Sequence, residues 1–202
     1  MRITTLLLAS GNPGKAREIG ALLSPRGIRI LTQTELGIVE ADEPHDTFLE
    51  NALAKARHAS FASGLPALAD DSGLCVEALG GEPGVHSAYY AGAEGGRAER
   101  DARNNARLLA VLAGQGDRRA HYCCVMVLLR HARDPEPLVG EGRWHGEIAP
   151  EPRGSGGFGY DPLFLVPGRG LTAAELDAEE KNRVSHRGQA LARLTARIAE
   201  ER

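Results

Sequence analysis

ITTLLLASGNPGKAREIGALL, residues 3–23, reads as strand, turn and helix in immediate succession. The apolar run Ile3–Ala9 suits a strand buried on both faces. Pro13 and Lys15 fall in the first turn of a helix. That helix stops before Ser24-Pro25, where proline restricts the residue ahead of it. GIRIL, residues 27–31, returns as a second strand. Strand, helix and strand in that order form a βαβ-like unit and predict an α/β fold.

Working outward, Thr47 and Glu50 have the spacing of a capping box at the start of a second helix. Phe48, Ala52, Ala56 and Ala59 form its apolar stripe, and Asn51 and Lys55 share another face. Gly64 and Pro66 end it. ALADDSGLCVEAL, residues 67–79, is expected to run strand, acidic corner, strand, and residues 80–97 to form a glycine-rich surface loop. A third helix should turn Ala98, Ala102, Ala106 and Leu109 inward. HYCCVMVLLRH, residues 121–131, suits a central strand. PLVGEGRWHGEI, residues 137–148, suits its antiparallel neighbour, joined through Asp134-Pro135. A second glycine-rich loop, PRGSGGFGYDP (152–162), precedes a short strand LFLV. Thr172 and Glu175 repeat the capping-box spacing. A terminal helix from about Ser185 carries Leu191, Leu194 and Ile198 on one side. The chain shows no repeat and no interdomain linker, so residues 1–202 are expected to form one domain.

The 202 residues are 42% hydrophobic, and 24 basic against 27 acidic residues leave a net charge of −3. Neither nucleic acid nor an anionic membrane is attracted by that balance. No apolar run approaches the ~20 residues of a membrane span. Three cysteines, Cys75, Cys123 and Cys124, lack metal-site spacing and read as reduced core residues, which points to the cytoplasm.

Four stretches carry candidate chemistry. SGNPGK, residues 10–15, joins a buried strand to a helix N-terminus, where an anion is favoured, and Lys15 adds a charge suited to phosphate. The plain alternative is a tight turn with a solvated lysine; it is not a Walker A loop, whose glycines lie further apart. Asp70-Asp71 stands in an apolar run, so a positive partner is required. Carboxylates there can hold Mg²⁺ and polarise a water. EADEPHD, residues 40–46, either is a solvated acidic turn or completes the metal shell through Asp42 or Glu43. GGFGYDP either offers an aromatic face to a nucleobase and a carboxylate, Asp161, to a base N–H, or is a hairpin loop whose aromatics cap the core. Near Ser185, Lys181 and Arg187 only donate hydrogen bonds and His186 can donate one, a donor cluster or else a basic helix start making surface salt bridges.

Taken in order, SGNPGK, TFLENALAKA leading to ADDSGL, GGFGYDP and SHRGQAL resemble the inosine triphosphate pyrophosphatase family, from about residue 5 to 195. The resemblance implies Mg²⁺-dependent hydrolysis of ITP, dITP and XTP to the monophosphate and pyrophosphate. It implies an elongated mixed β-sheet flanked by helices, two lobes around an active-site cleft, and a homodimer. It further implies that Ser10, Gly11, Asn12, Pro13, Gly14 and Lys15 cradle the triphosphate while Lys15 and Lys55 bind its oxygens. By the same resemblance Asp71 binds the metal and activates water, Glu43 shares the metal, and Ser72 lies beside the substrate. Phe158, with Gly159 and Tyr160 in its loop, stacks on the base, Asp161 bonds to it, and Lys181, His186 and Arg187 hold its carbonyl oxygen. One departure is Tyr89, where some relatives have Arg. The competing readings are a house-cleaning pyrophosphatase for modified pyrimidine or methylated nucleotides, and a nucleotide-binding regulator without catalysis.

Overall fold

A computed structural model describes residues 3–24 and 27–200. Pro25, the expected helix stop, lies outside the described residues. The elements follow the order β1 (Thr5–Leu8), α1 (Pro13–Leu23), β2 (Arg29–Thr32), α2 (Phe48–Ser63), β3 (Ala67–Val76) and α3 (Arg97–Val111). Then come β4 (Arg119–Leu129), β5 (Leu138–Ile148), β6 (Phe164–Leu165), α4 (Ala178–Val184) and α5 (His186–Glu200). The six strands form one mixed sheet in the order β2-β1-β3-β4-β5-β6. β1 pairs in parallel with both β2 and β3, as βαβ units require, whereas β5 and β6 are antiparallel. The expected mixed α/β sheet with flanking helices is therefore present. Among the described residues no helix is long and apolar enough to cross a membrane.

The chain divides into two compact units, each with its own core. The first comprises Met1–Asp71, Cys124–Gly142 and His186–Arg202; the second comprises Ser72–Cys123 and Arg143–Ser185. β3, β4 and β5 thus contribute residues to both. In the first unit Leu6 and Leu8 of β1, Ile19 and Leu23 of α1, Cys124, Met126 and Leu128 of β4, and Ala190, Leu191 and Leu194 of α5 pack together. In the second, Leu74, Leu108, Leu112, Tyr122, Trp144, Phe164 and Leu176 do the same. Three aromatic rings anchor that cluster: Phe164 lies 4.7 Å from Tyr122 and 5.0 Å from Trp144, centroid to centroid. None of Cys75, Cys123 and Cys124 forms a disulfide, and Cys123 and Cys124 are buried.

Local signals set most element ends. Thr47 caps α2 by accepting from the Glu50 N–H at 3.2 Å, and Gly64 closes it in the left-handed conformation, φ 70°. Ala52, Ala56 and Ala59 of its stripe are fully buried. Three expectations need correction. Residues 67–76 form one continuous strand, with no acidic corner, because the two aspartates are neutralised by ion pairs and so remain in the ladder. The inner face of α3 is not alanine: Ala98, Ala102 and Ala106 are exposed, while Asn104 and Leu108 are buried. An alanine gains little from burial, whereas Asn104 gains three hydrogen bonds, accepting from the Ala91 N–H and donating to the Ser87 and Ala88 carbonyls. Finally, the loop 80–97 is partly ordered as a 3-10 turn at Gly84–Tyr89.

α5 lies so close to β5 that two glycines are required. A Cβ on Gly142 would fall 1.9 Å from the His186 carbonyl oxygen and 2.7 Å from the Ala190 nitrogen; on Gly140 it would fall 2.3 Å from the Ala190 oxygen. These are backbone atoms, so only a shift of the helix relieves the clash. Gly142→Ala is expected to destabilise by about 2–3 kcal/mol and to lower Tm by roughly 5–10 °C in a thermal scan.

Candidate active site

The site residues fall into two groups, one in each unit. Asp70 and Asp71, at the end of the first unit's part of β3, project to opposite faces of the strand. They consequently meet different cations. Asp70 is 1% exposed and pairs with Lys15 of α1 at 2.9 Å and with the Arg187 guanidinium at 3.6 Å. Arg187, itself buried at the start of α5, also pairs with Glu18 of α1. Asp71 receives Lys55 Nζ at 2.8 Å, and the same ammonium reaches Glu43 at 2.9 Å. Asn51, one helical turn before Lys55, holds His45, two residues past Glu43: its side-chain amide accepts from the His45 N–H and donates to the His45 carbonyl, both at 3.0 Å. The acidic stretch 40–46 is thereby tied down onto α2.

The neighbouring carboxyls are driven apart electrostatically. Burial opposes the charge of Asp70, but Lys15, Arg187 and Lys55 outweigh it and hold the group well below the usual carboxylate range. At Asp71 burial dominates over Lys55 and raises the carboxyl. Lys55 is disfavoured by burial too, yet Asp71, Asp70 and Glu43 together hold it firmly protonated. The two adjacent carboxyls are thus shifted in opposite directions by their surroundings.

Asp71 also has capacity to spare. Its Oδ1 takes the lysine, while Oδ2 is buried with no hydrogen-bond partner. With Glu43 nearby on the same ammonium, the donors are hard oxygens, which fit Mg²⁺. Among the described residues no three His, Cys, Asp or Glu side chains converge as a metal cage. A hard cation held by one or two carboxylates and completed by phosphate oxygens and water agrees with that.

The loop ahead of α1 departs from expectation. Its helix-terminal N–H groups do not face outward unmet: Asn12 Oδ1 accepts from Gly14 at 2.9 Å and from Lys15 at 3.3 Å. Ser10 Oγ accepts from the Asn12 N–H at 3.2 Å. Pro13 has no N–H to offer. Asn12 thus occupies the anion position of the helix with its own oxygen, and Lys15 is the group in this loop with charge to give. Glu40 is the side chain over Gly11: a Cβ there would meet its Oε1 at 1.9 Å.

In the second unit, Asp161 is 3% exposed and organises the other group. Its Oδ2 accepts from Lys181 Nζ at 2.7 Å and from the Phe158 N–H at 2.8 Å, and Tyr122 donates to Oδ1 at 3.4 Å. Lys181 also stands 5.1 Å from the centroid of the half-buried Phe158 ring. Tyr160 is buried, with its hydroxyl on the Ser87 carbonyl at 2.9 Å. Ser72 follows Asp71 along β3. The three expected donors are consequently divided, with Lys181 on Asp161 and Arg187 on Asp70 and Glu18, while His186 is buried at the start of α5. Tyr89 is exposed under the Arg100 guanidinium, 5.6 Å from its ring.

Sequence reasoning missed Glu18, Tyr122, Asp101 and Asn105. Glu18 lies on the helix that SGNPGK opens, one turn beyond Lys15. Asp101 and Asn105 are four apart on α3, a spacing that puts both on one face of the helix.

Fold and site together define a nucleotide-handling α/β protein, and a profile of the Ham1 family matches residues 6–197. The chain belongs to the Ham1 family. Among curated relatives, the dITP/XTP pyrophosphatase of Ralstonia nicotianae is 63% identical over 193 residues, covering 96% of each chain. The dITP/XTP pyrophosphatase of Nitrosomonas europaea is 62% identical over 195 residues, 96% of this chain and 94% of the relative. Of solved structures, a HAM1 protein from Coxiella burnetii superposes with a TM-score of 0.89 at 48% identity, over 98% of this chain and all of that one.

Proposed function

We propose that the chain hydrolyses the non-standard purine nucleoside triphosphates ITP, dITP and XTP to the monophosphate and pyrophosphate, residues 1–202 acting as a single pyrophosphatase domain. The observation that carries this reading is Asp71, a buried carboxylate with one oxygen on Lys55 and the other without a hydrogen-bond partner. The names of the relatives, dITP/XTP pyrophosphatases at more than 60% identity, fit the same chemistry.

Asp71 accepts the proton of the attacking water at a carboxylate oxygen, its raised basicity suiting that task. Asp71 and Glu43 are the residues that would hold Mg²⁺, which when bound neutralises the leaving pyrophosphate and polarises the phosphoryl oxygens. Lys15 and Lys55 supply positive charge to the triphosphate, with Ser10–Gly14 and Ser72 alongside. Phe158, flanked by Gly159 and Tyr160, stacks on the base, and Asp161 accepts from a base N–H. By the family resemblance, Lys181, His186 and Arg187 are the donors to a 6-carbonyl. Adenine presents an amino group at that position, leaving donor against donor, and is rejected.

The test is pyrophosphate and monophosphate release from ITP, XTP, dITP, GTP and ATP, with Mg²⁺ and with a chelator. The first three are expected to turn over only with the metal. ATP and GTP should fall at least tenfold lower in kcat/KM, ~1.4 kcal/mol of transition-state binding. Tight ITP binding without any hydrolysis would instead identify a regulator, and preference for a modified pyrimidine would identify the related house-cleaning activity. We further propose a cytoplasmic homodimer, the location fitting three cysteines that form no disulfide and the dimer following from the family resemblance.

A further inference from the structure

We infer that Asp101 and Asn105 of α3 are positioning residues that fix the base-reading turn by clamping both backbone groups of Gly159, an inference that rests on the reading of Phe158 and Asp161 given above. Four residues apart, the two side chains leave α3 on one face. Asp101 Oδ2 accepts from the Gly159 N–H at 2.9 Å, and Asn105 Nδ2 donates to the Gly159 carbonyl at 2.9 Å. A single residue is thus held at both ends of its peptide units by one helix. Gly159 is in the left-handed region, φ 64°, a conformation that costs other residues energy, so the clamp grips the turn at its least self-sufficient point.

The clamp acts on the groups that would meet a base. Gly159 lies between Phe158 and Tyr160, and Asp161 closes the turn by accepting from the Phe158 N–H. Fixing the Gly159 peptides sets the direction of the Phe158 ring and the distance from that ring to Asp161. A loop ordered before ligand arrives loses less entropy on binding. The neighbouring Asn104 holds the Ser87 carbonyl, to which the Tyr160 hydroxyl also donates. Asn104, Asp101 and Asn105 of α3 therefore all bond loop backbone, beside Leu108 in the core.

Stability alone is a poor account of these residues. Asn105 Oδ1 is buried without a hydrogen-bond partner among the described residues, a penalty that an apolar side chain would not carry. Asp and Asn are also weak formers of helix interior.

The experiment compares parent, Asp101→Ala/Asn105→Ala, the isosteric Asn105→Asp, and Asp101→Asn. Asn105→Asp turns an acceptor toward the Gly159 carbonyl while preserving shape, and Asp101→Asn keeps an acceptor for the Gly159 N–H. In the double variant and in Asn105→Asp, KM for ITP is expected to rise at least ~10-fold with kcat within ~2-fold. Inhibition by inorganic triphosphate, which lacks a base, should be unchanged, and Asp101→Asn should retain the parent KM. If KM for ITP stays within twofold of the parent in Asn105→Asp, or triphosphate inhibition weakens in parallel with KM, the clamp is overturned. A parent that leaves ITP intact removes the proposed function and the clamp with it, whereas a parent active on ITP with unaffected variants removes the clamp alone.

Discussion

Asp71→Asn leaves a folded protein that no longer turns over ITP, with kcat down at least ~1,000-fold, about 4 kcal/mol of barrier. The substitution is nearly isosteric, and the amide oxygen can still accept from Lys55, now 2.8 Å from Oδ1. Lys55 keeps Glu43 at 2.9 Å, so no buried ammonium is stranded. What disappears is the negative charge and the basic oxygen at Oδ2. An amide cannot accept a proton from water, and it is a weaker ligand for a hard cation. Tm should move by no more than a few degrees, because burial already opposed the ionised form of Asp71. Pyrophosphate release and a thermal scan on the same preparation separate the two effects. Turnover near the parent's would remove Asp71 from the chemistry and with it the central support for the proposed reaction.

How far the sequence led depended on whether a signal was local. Thr47-x-x-Glu50, the alanine stripe of α2 and the Leu191–Leu194 face of α5 are settled by residues within a turn or two, and each appears as expected. The requirement for a positive partner at Asp70-Asp71 was also legible, since burying carboxylates unpaired is prohibitive. Which cation serves which carboxylate was not. Lys15 and Arg187 reach Asp70 from α1 and α5, and nothing in the intervening sequence pairs them. The sequence assigned Lys15 to phosphate and Arg187 to the base; both also have an anion of the protein's own. β3 was misread for a related reason. Asp, Ser and Gly are depleted in strands, and only the tertiary ion pairs make the unbroken ladder affordable. α3 misled in the opposite sense: its alanines suggested a core face, but its buried polar side chains serve loop backbones far along the chain.

Asp70→Ala is expected to be the more damaging change to the fold, although it lies one residue from Asp71. Asp70 is the anion that justifies burying Arg187, which is 3% exposed, and it also restrains Lys15. Removing it leaves Arg187 with Glu18 as its ion-pair partner on α1 and leaves Lys15 with neither carboxylate oxygen. Breaking a buried pair by deleting one partner destabilises by about 3–5 kcal/mol, which corresponds to a Tm loss of roughly 6–20 °C for a chain of this size. Asp70→Asn should fall between parent and alanine, since the amide oxygen still accepts from Lys15 but no longer offsets two cations. Thermal denaturation of the three proteins at neutral pH gives the order directly. A Tm for Asp70→Ala within ~3 °C of the parent, less than ~2 kcal/mol, would mean that Arg187 is held in place without Asp70. The two aspartates then differ in kind. Asp71 sits where its charge is only partly compensated, as the proposed water activation requires; Asp70 is surrounded by cations, which makes it a fixed part of the frame that holds Lys15 and Arg187 in place.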